Sequence, residues 1–208
     1  MGYPVCSVKY SKMKWMKTGI VMVMSFLLLM ACNTPFVPRP EGYFATPFPS
    51  KEYVRFNRLG YPYTFEYPVY ATIIQDTTFF DDKPENPWWI NIDFPGMNAR
   101  FYISYKEIGK NNFGKLLNDA YNLTYKHTYK ASSIEDSAFI NPAGIHGIFF
   151  KVGGNAATAN QFLLTDTTRH FLRGALYFDT APNEDSLAPM NAFLKEDLLH
   201  LINTFHWR

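Results

Sequence analysis

One short segment of the chain carries the residue types that acid–base chemistry uses. It contains an aspartate, two arginines and a histidine within eight residues, namely Asp166, Arg169, His170 and Arg173. A hydrolase could use an aspartate and a histidine in this arrangement, but no serine in a nucleophile-elbow context accompanies them. The basic residues of the predicted strand also alternate with apolar neighbours, as on the solvated face of a sheet. We therefore favour a structural or partner-binding role for this cluster over catalysis.

Glycine-rich segments and histidines give no other site. Residues 109–116 nearly spell a phosphate-binding loop, but Leu116 stands where that loop needs a serine or threonine to hold magnesium. Residues 153–155 form a glycine-rich turn between two predicted strands, whereas a phosphate cradle opens a helix. No pair among the five histidines has the spacing of a metal site, and His127 fits a hydrogen-bonded core position. The sequence thus predicts no catalytic residue, nucleotide, metal or cofactor.

The segment Met13–Cys32 predicts where the protein works. It begins with two lysines, continues with an apolar run over residues 19–31, and ends with a small residue before Cys32. A run of 13 residues suits a secretory signal. It is too short for a transmembrane helix, which needs about 20 residues. The ending resembles a bacterial lipoprotein cleavage box, in which the cysteine receives lipid, palmitate included. We therefore expect a signal peptide over residues 1–31 and lipidation at Cys32, with Met1 and Met13 both open as the start.

Amino-acid composition excludes several classes of function for the chain that follows the signal. The signal carries four lysines and no acid, so the rest has 16 basic and 18 acidic residues, a net charge of −2. This slightly negative net charge gives no reason to expect nucleic-acid binding. Cys32 is the sole cysteine left, which excludes an intrachain disulfide and a cysteine metal site. The length predicts a single domain over residues 51–208, preceded by a tether at 32–50 that holds five prolines.

Hydrophobic periodicity predicts two helices and about six strands. One helix covers residues 111–131, and the other begins at Asp185 or Ser186 and carries an apolar stripe from Met190 to Phe205. Few connections are long enough for a crossover between parallel strands. We therefore expect an α+β fold, an antiparallel sheet covered by two main helices, similar to the PsbP/Mog1-like sandwich. The predicted strands are 63–73, 90–94, 101–105, 147–152, 157–165 and 170–178, with 134–140 as a short strand or a connector.

Some residues in the predicted strands restrict the backbone around them. Pro68 cannot donate a hydrogen bond to a neighbouring strand, so its strand should lie at an edge or contain a bulge there. Gly174 predicts a close backbone approach or a bulge in the last strand. Residues 95–98 have turn composition between two alternating segments and predict a hairpin.

Segments spread over the chain after Cys32 carry a family resemblance. They are PRPEGYF (38–44), GIHGIFFKVGGNAA (144–157), QFLLTDT (161–167), HFLRGALYF (170–178) and PNEDSL (182–187). Each is weak alone, but together and in this order they resemble the gliding-motility lipoprotein GldD family of Bacteroidetes. The departures, such as Thr167 in place of serine, are small.

The resemblance implies a membrane-anchored protein that gliding motility requires, in a process tied to type IX secretion. Its partners would be other proteins of that machinery, and the family has no catalytic residues to carry over. Asn33–Phe36 after the cysteine lacks the acidic run associated with surface export, so we expect the protein to face the periplasm. The outer membrane is favoured, and the inner membrane stays open. The alternative is a periplasmic ligand-binding or hydrolytic lipoprotein that uses Asp166, Arg169 and His170.

Five of the ten aspartates are followed by serine or threonine, which leaves two interpretations open. The pattern resembles the O-glycan acceptor motif of exported Bacteroidetes proteins. Asp-Ser and Asp-Thr pairs also favour turns and helix caps, and each pair lies near a predicted turn. The candidate acceptors are Thr77, Ser137, Thr167, Thr180 and Ser186.

Overall fold

Two antiparallel sheets and two α-helices make up the computed structural model, which describes residues 47–77 and 84–208. The helices are α1 (Phe113–Tyr125) and α2 (Glu184–Thr204). The strands are β1 (Tyr53–Phe56), β2 (Tyr63–Pro68), β3 (Thr72–Gln75), β4 (Ile90–Phe94), β5 (Ala99–Glu107), β6 (Ala131–Ile140), β7 (His146–Gly154), β8 (Asn160–Thr165), β9 (His170–Phe178) and β10 (His206–Trp207). One sheet has the order β3-β4-β5-β9-β8-β7-β6 and the other β1-β2-β10. The predicted α+β fold, an antiparallel sheet with two main helices, is confirmed.

The seven-stranded sheet packs on both faces, because successive side chains of a strand point to opposite sides. On the α2 face, the central strands pack against α2 and the small sheet, and Phe101, Phe162 and Leu172 belong to this larger core. On the α1 face, helix α1 packs on β7, β8 and β9. The smaller core there consists of Leu116, Ala120, Phe150, Leu163 and Phe171.

The predicted hairpin and the predicted close approach are both confirmed. β4 and β5 pair from Ile90↔Ile103 to Phe94↔Ala99. A 3-10 turn, Pro95–Met97, joins them, and Asn98 ends it at a φ of 46°. At Gly174, an added Cβ would overlap the Phe162 ring of the neighbouring strand β8. A glycine is therefore required there by space rather than by backbone conformation.

The predicted strand 63–73 is wrong, because the chain forms two strands that belong to different sheets. β2 ends at Pro68, β3 begins at Thr72, and Val69 between them is 54% exposed. The proline ends its strand since it has no N–H for the ladder. The predicted edge strand or bulge at Pro68 is wrong, because β2 lies between β1 and β10 and pairs with β1 in continuous register. Pro68 is tolerated because β10 reaches only Tyr63 and Thr64 on the other side of β2. The unpredicted strands β1 and β10 are too short to give a periodic signal.

The first predicted helix is too long, and the strand after it is longer than expected. α1 ends at Tyr125 and continues as a 3-10 helix, Lys126–Tyr129, before β6 begins. Tyr129 is 81% exposed, so packing does not extend the helix through this turn. Residues 134–140 lie within β6 and are not a connector. β7 extends through Gly154, which moves the predicted glycine turn to residues 155–159.

The predicted apolar stripe of helix α2 is confirmed, but the predicted start of the helix is wrong. Asn183 caps the helix, and its side-chain oxygen accepts a hydrogen bond from the backbone nitrogen of Ser186 at 3.0 Å. Asp185 and Ser186, the predicted caps, lie in the first turn because Asn183 already satisfies a free N–H of that turn. The fully buried members of the stripe are Leu194, Leu198, Leu201, Ile202 and Phe205.

Candidate functional site

Asp166 closes the turn between β8 and β9. Its Oδ1 accepts hydrogen bonds from the backbone nitrogens of Thr168 at 3.0 Å, Arg169 at 2.8 Å and His170 at 2.8 Å. Burial raises the pKa of the Asp166 carboxyl, but these hydrogen bonds outweigh burial and hold the pKa below its usual value. Thr167 in the same turn has a φ of 63°. The carboxylate therefore holds the turn, and one of its oxygens is occupied in doing so.

His170 lies on the α2 face, where it contacts β5 and β10. Its Nδ1 is 2.6 Å from the Tyr105 hydroxyl, and its ring stacks on Trp207 with centroids 4.8 Å apart. Its Nε2 is 3.9 Å from Asp166 Oδ2. Burial lowers the pKa of His170 and raises the pKa of Tyr105 to about 12, so both groups are neutral at pH 7. Tyr105 is only 1% exposed, which leaves a substrate no access to this pair from the Tyr105 side.

Arg173 does not join His170, although both residues are in β9. Residues three apart in a strand point to opposite sides of the sheet, and Arg173 lies on the α1 face. Arg169 is exposed in the turn. The structure therefore brings Asp166 and His170 together and separates both from Arg173. Arg169 and the turn around it are the part of the cluster that is open to a partner.

A cavity of about 790 Å³ lies on the α1 face, between α1 and strands β5 and β9. Its wall includes Leu116, Ala120 and Leu123 from the helix, and Phe171 and Arg173 from β9. Pockets that bind small molecules have volumes of about 300–1,000 Å³. This cavity was not predictable from the sequence, since its lining comes from segments far apart in the chain.

Arg173 has few partners for a charged side chain. Its Nη2 donates a hydrogen bond to Oε1 of Gln161, which also accepts one from Thr124 Oγ1 at 3.2 Å. Its Nε is buried without a hydrogen-bond partner in the described part of the chain. Burial lowers the pKa of Arg173, but a guanidinium stays protonated in proteins. The charge of Arg173 is therefore held mostly by neutral groups.

Asp197 is a buried charge that the sequence did not reveal. It is 1% exposed, and its carboxylate accepts hydrogen bonds from Lys51 Nζ at 2.8 Å, Tyr53 at 2.9 Å and Tyr70 at 2.5 Å. Burial and this carboxylate raise the pKa of both tyrosines, so both hydroxyls remain donors. Its position in the sequence could have revealed its burial, because Asp197 falls in phase with the apolar stripe of α2.

Residues 109–116 form the entry to α1 and not a phosphate loop. Asn112 caps the helix by accepting a hydrogen bond from the backbone nitrogen of Lys115 at 3.0 Å, and Lys110 pairs with Glu107. The strand before them, β5, belongs to an antiparallel sheet, whereas phosphate loops follow a parallel strand. His127, after α1, is half-buried, and burial lowers its pKa.

The five candidate glycan acceptors are all exposed. Ser137 lies in the middle of β6, paired with Phe149, so the expectation that each lies near a turn is wrong for this residue. Thr167 lies in the turn that Asp166 closes, and Ser186 lies in the first turn of α2. The predicted lipidation site Cys32 and the tether up to residue 46 lie outside the described residues.

Within residues 47–77 and 84–208, no group of three or more histidine, cysteine, aspartate or glutamate residues could hold a metal ion. None of the helices in the same ranges has the length and apolar character that crossing a bilayer requires.

Comparisons with known proteins address the fold and the family separately. The solution structure of cyanobacterial PsbP (CyanoP) from Synechocystis sp. PCC 6803 matches with 11% identity and a TM-score of 0.46, over 84% of this chain and 100% of that chain. An identity and a TM-score this low give no information about the function of this chain. No curated protein matches the chain. A family model for the gliding motility lipoprotein GldD matches residues 33–207. Because this match spans nearly all of the chain after Cys32, the protein belongs to the GldD family of gliding motility lipoproteins.

Proposed function

We propose that this chain is a non-catalytic lipoprotein that faces the periplasm and works with the gliding and type IX secretion machinery. The observation that carries the proposal is the family match, which includes the tether as well as the domain. The lipid would be attached at Cys32, in the outer membrane rather than the inner one. The exposed turn around Arg169 is the surface that we assign to a protein partner.

Contacts at the start of the described chain support an anchored role. Phe48 stacks on Phe193 of α2 with centroids 4.3 Å apart, and Lys51 Nζ lies 3.4 Å from the centroid of the same ring. Lys51 and Tyr53 also bind the buried Asp197. We call these five residues the tether clamp. Since Phe48 and Lys51 belong to the end of the predicted tether and the start of the domain, the tether would lead directly to α2.

The hydrogen bonds and packing of Asp166 and His170 within the fold support a role without catalysis. One carboxylate oxygen of Asp166 accepts hydrogen bonds from three backbone nitrogens. His170 is packed between Trp207 and the Tyr105 hydroxyl. A hydrolase would need these groups free to meet a substrate and a nucleophile. Their arrangement instead fixes the β8–β9 turn against the core.

Replacement of Cys32 tests whether a lipid anchor serves motility. We expect the Cys32→Ala protein to incorporate no labelled palmitate, and its cells to lose spreading on agar and secretion of type IX substrates. Cys6→Ala is the matched control, because Cys6 lies in the segment predicted to be removed. Wild-type spreading by cells whose Cys32→Ala protein carries no lipid would contradict the anchored role.

A further inference from the structure

The half-open cavity on the α1 face is lined by the partly buried Arg173, whose positive charge has no opposite charge beside it among the residues described. The groups that interact with the Arg173 guanidinium are the Gln161 amide, the Tyr177 phenol and the His127 imidazole, and none of them is an anion. Burial raises the pKa of Tyr177, so the phenol is neutral. Within residues 47–77 and 84–208, no carboxylate forms an ion pair with Arg173, and its Nε is buried without a partner. Burial of a guanidinium costs free energy unless an anion compensates it.

The border of the cavity adds further positive charge. Lys106 and Lys126 line it with Arg173, and Asp119 is the one acidic residue in the lining. Lys106 Nζ is 3.5 Å from Glu85 Oε2, which lies outside the lining. Lys126 forms no ion pair with any residue that the structure describes. The excess of positive charge suits an anionic ligand.

The wall of the cavity excludes a purely inorganic anion as the best fit. Leu116, Leu123 and Phe171 give it an apolar surface beside the charged group. The volume of about 790 Å³ is far larger than a small inorganic ion requires. An apolar body that covers the wall would gain from leaving water.

We propose that this cavity binds an organic anion with one carboxylate head and an apolar chain, and that the head pairs with the Arg173 guanidinium. Carboxylate and guanidinium are both planar, and their charge-assisted hydrogen bonds are among the strongest in proteins. The apolar chain lies along the wall that α1 and Phe171 provide. This binding site goes beyond the role in motility and does not depend on it.

Isothermal titration calorimetry of the full lipoprotein in phospholipid nanodiscs tests the site with octanoate. We expect saturable binding, which Arg173→Gln weakens about tenfold or more through loss of a charge-assisted pair. Octanol carries the chain without the charge, and acetate carries the charge without a long chain, so each should bind more weakly. Lys151→Gln, at an exposed position outside the cavity, should bind octanoate as the wild type does.

Three results would overturn the proposal. The first is equal affinity of the wild-type protein for octanol and octanoate. The second is unchanged octanoate binding by the Arg173→Gln protein. The third is binding of a peptide through its C-terminal carboxylate without binding of octanoate, which would assign the cavity to a protein partner. The comparison of octanol with octanoate uses the wild-type protein, so it needs no variant to fold.

Thermal unfolding without ligand separates a binding role of Arg173 from a structural one. Arg173→Gln removes a partly buried charge that no carboxylate pairs with, so the variant should unfold at the same temperature as the wild type or a higher one. A fall in Tm of several degrees would mean that Arg173 serves the fold, and would count against the proposal.

Discussion

Asp197 is the residue where the polar contacts between α2 and the start of the domain converge. Asp197→Ala should lower the free energy of unfolding by about 3 kcal/mol, because Lys51 and the hydroxyls of two partly buried tyrosines lose their acceptor. Glu196→Ala is the matched control, since its side chain is 70% exposed and 3.8 Å from Lys51 Nζ. The control should change stability by less than about 0.5 kcal/mol. Urea unfolding measures both, and equal losses would contradict a special role for Asp197.

His170 should make stability depend on pH. Burial lowers its pKa in the folded protein, so the unfolded chain takes up a proton first as the pH falls. The stability is therefore retained above the unfolded pKa of about 6.5 and is lost progressively as the pH drops towards the folded pKa. His170→Gln keeps a hydrogen-bonding group beside Tyr105 and should flatten this dependence.

Urea unfolding between about pH 5 and pH 7.5 measures the effect of His170, since this range spans the unfolded histidine pKa. Burial also lowers the pKa of His127, so part of the pH dependence should remain in the His170→Gln protein. The exposed His146 provides the control, and His146→Gln should leave the slope unchanged. An equal slope in wild type and His170→Gln would refute the assignment.

At the scale of single elements, Gly174 sets how closely β9 approaches its neighbour. Gly174→Ala should destabilise the protein by about 1–3 kcal/mol, because the added Cβ overlaps the buried Phe162 ring. Gly96→Ala is the control, since nothing lies within 4 Å of a Cβ added there. Phe162→Leu combined with Gly174→Ala should recover part of the loss. Thermal unfolding measures the series, and an unchanged Tm for Gly174→Ala would contradict the close packing.

Strands and helices were predictable where one face of the element is buried along its whole length. β4, β5, β9 and the stripe of α2 alternate or repeat clearly, because each packs on the larger core. β1 and β10 were not predicted from the sequence, because they contain only four and two residues. The end of α1 was misjudged because apolar residues at helical spacing, such as Ala131, belong to the next strand. Local periodicity does not show where one element gives way to another.

At the scale of the whole molecule, the surroundings of Arg173 and Asp197 depend on contacts that no local pattern connects. Asp166 and His170 lie within five residues of each other, so their proximity was predictable from the sequence. The cavity around Arg173 joins α1 with β5 and β9. The tether clamp joins Lys51 to Asp197, 146 positions apart. The sequence therefore predicted the contact between residues close in the chain, whereas contacts between distant residues followed only from tertiary packing.

The tether clamp also determines how a mechanical load would enter the domain. With the lipid anchor that we propose at Cys32, the 16 residues from Cys32 to Phe48 would allow a reach of at most about 55 Å between membrane and domain. A pull along this path meets the Phe48–Phe193 stack and the Lys51–Asp197 pair before it reaches β1. The force would therefore pass into α2 and the larger core instead of peeling β1 from β2 one hydrogen bond at a time. If the anchor proposed at Cys32 transmits a load, the contacts of Phe48 and Lys51 with α2 would be the first part of the domain to resist it.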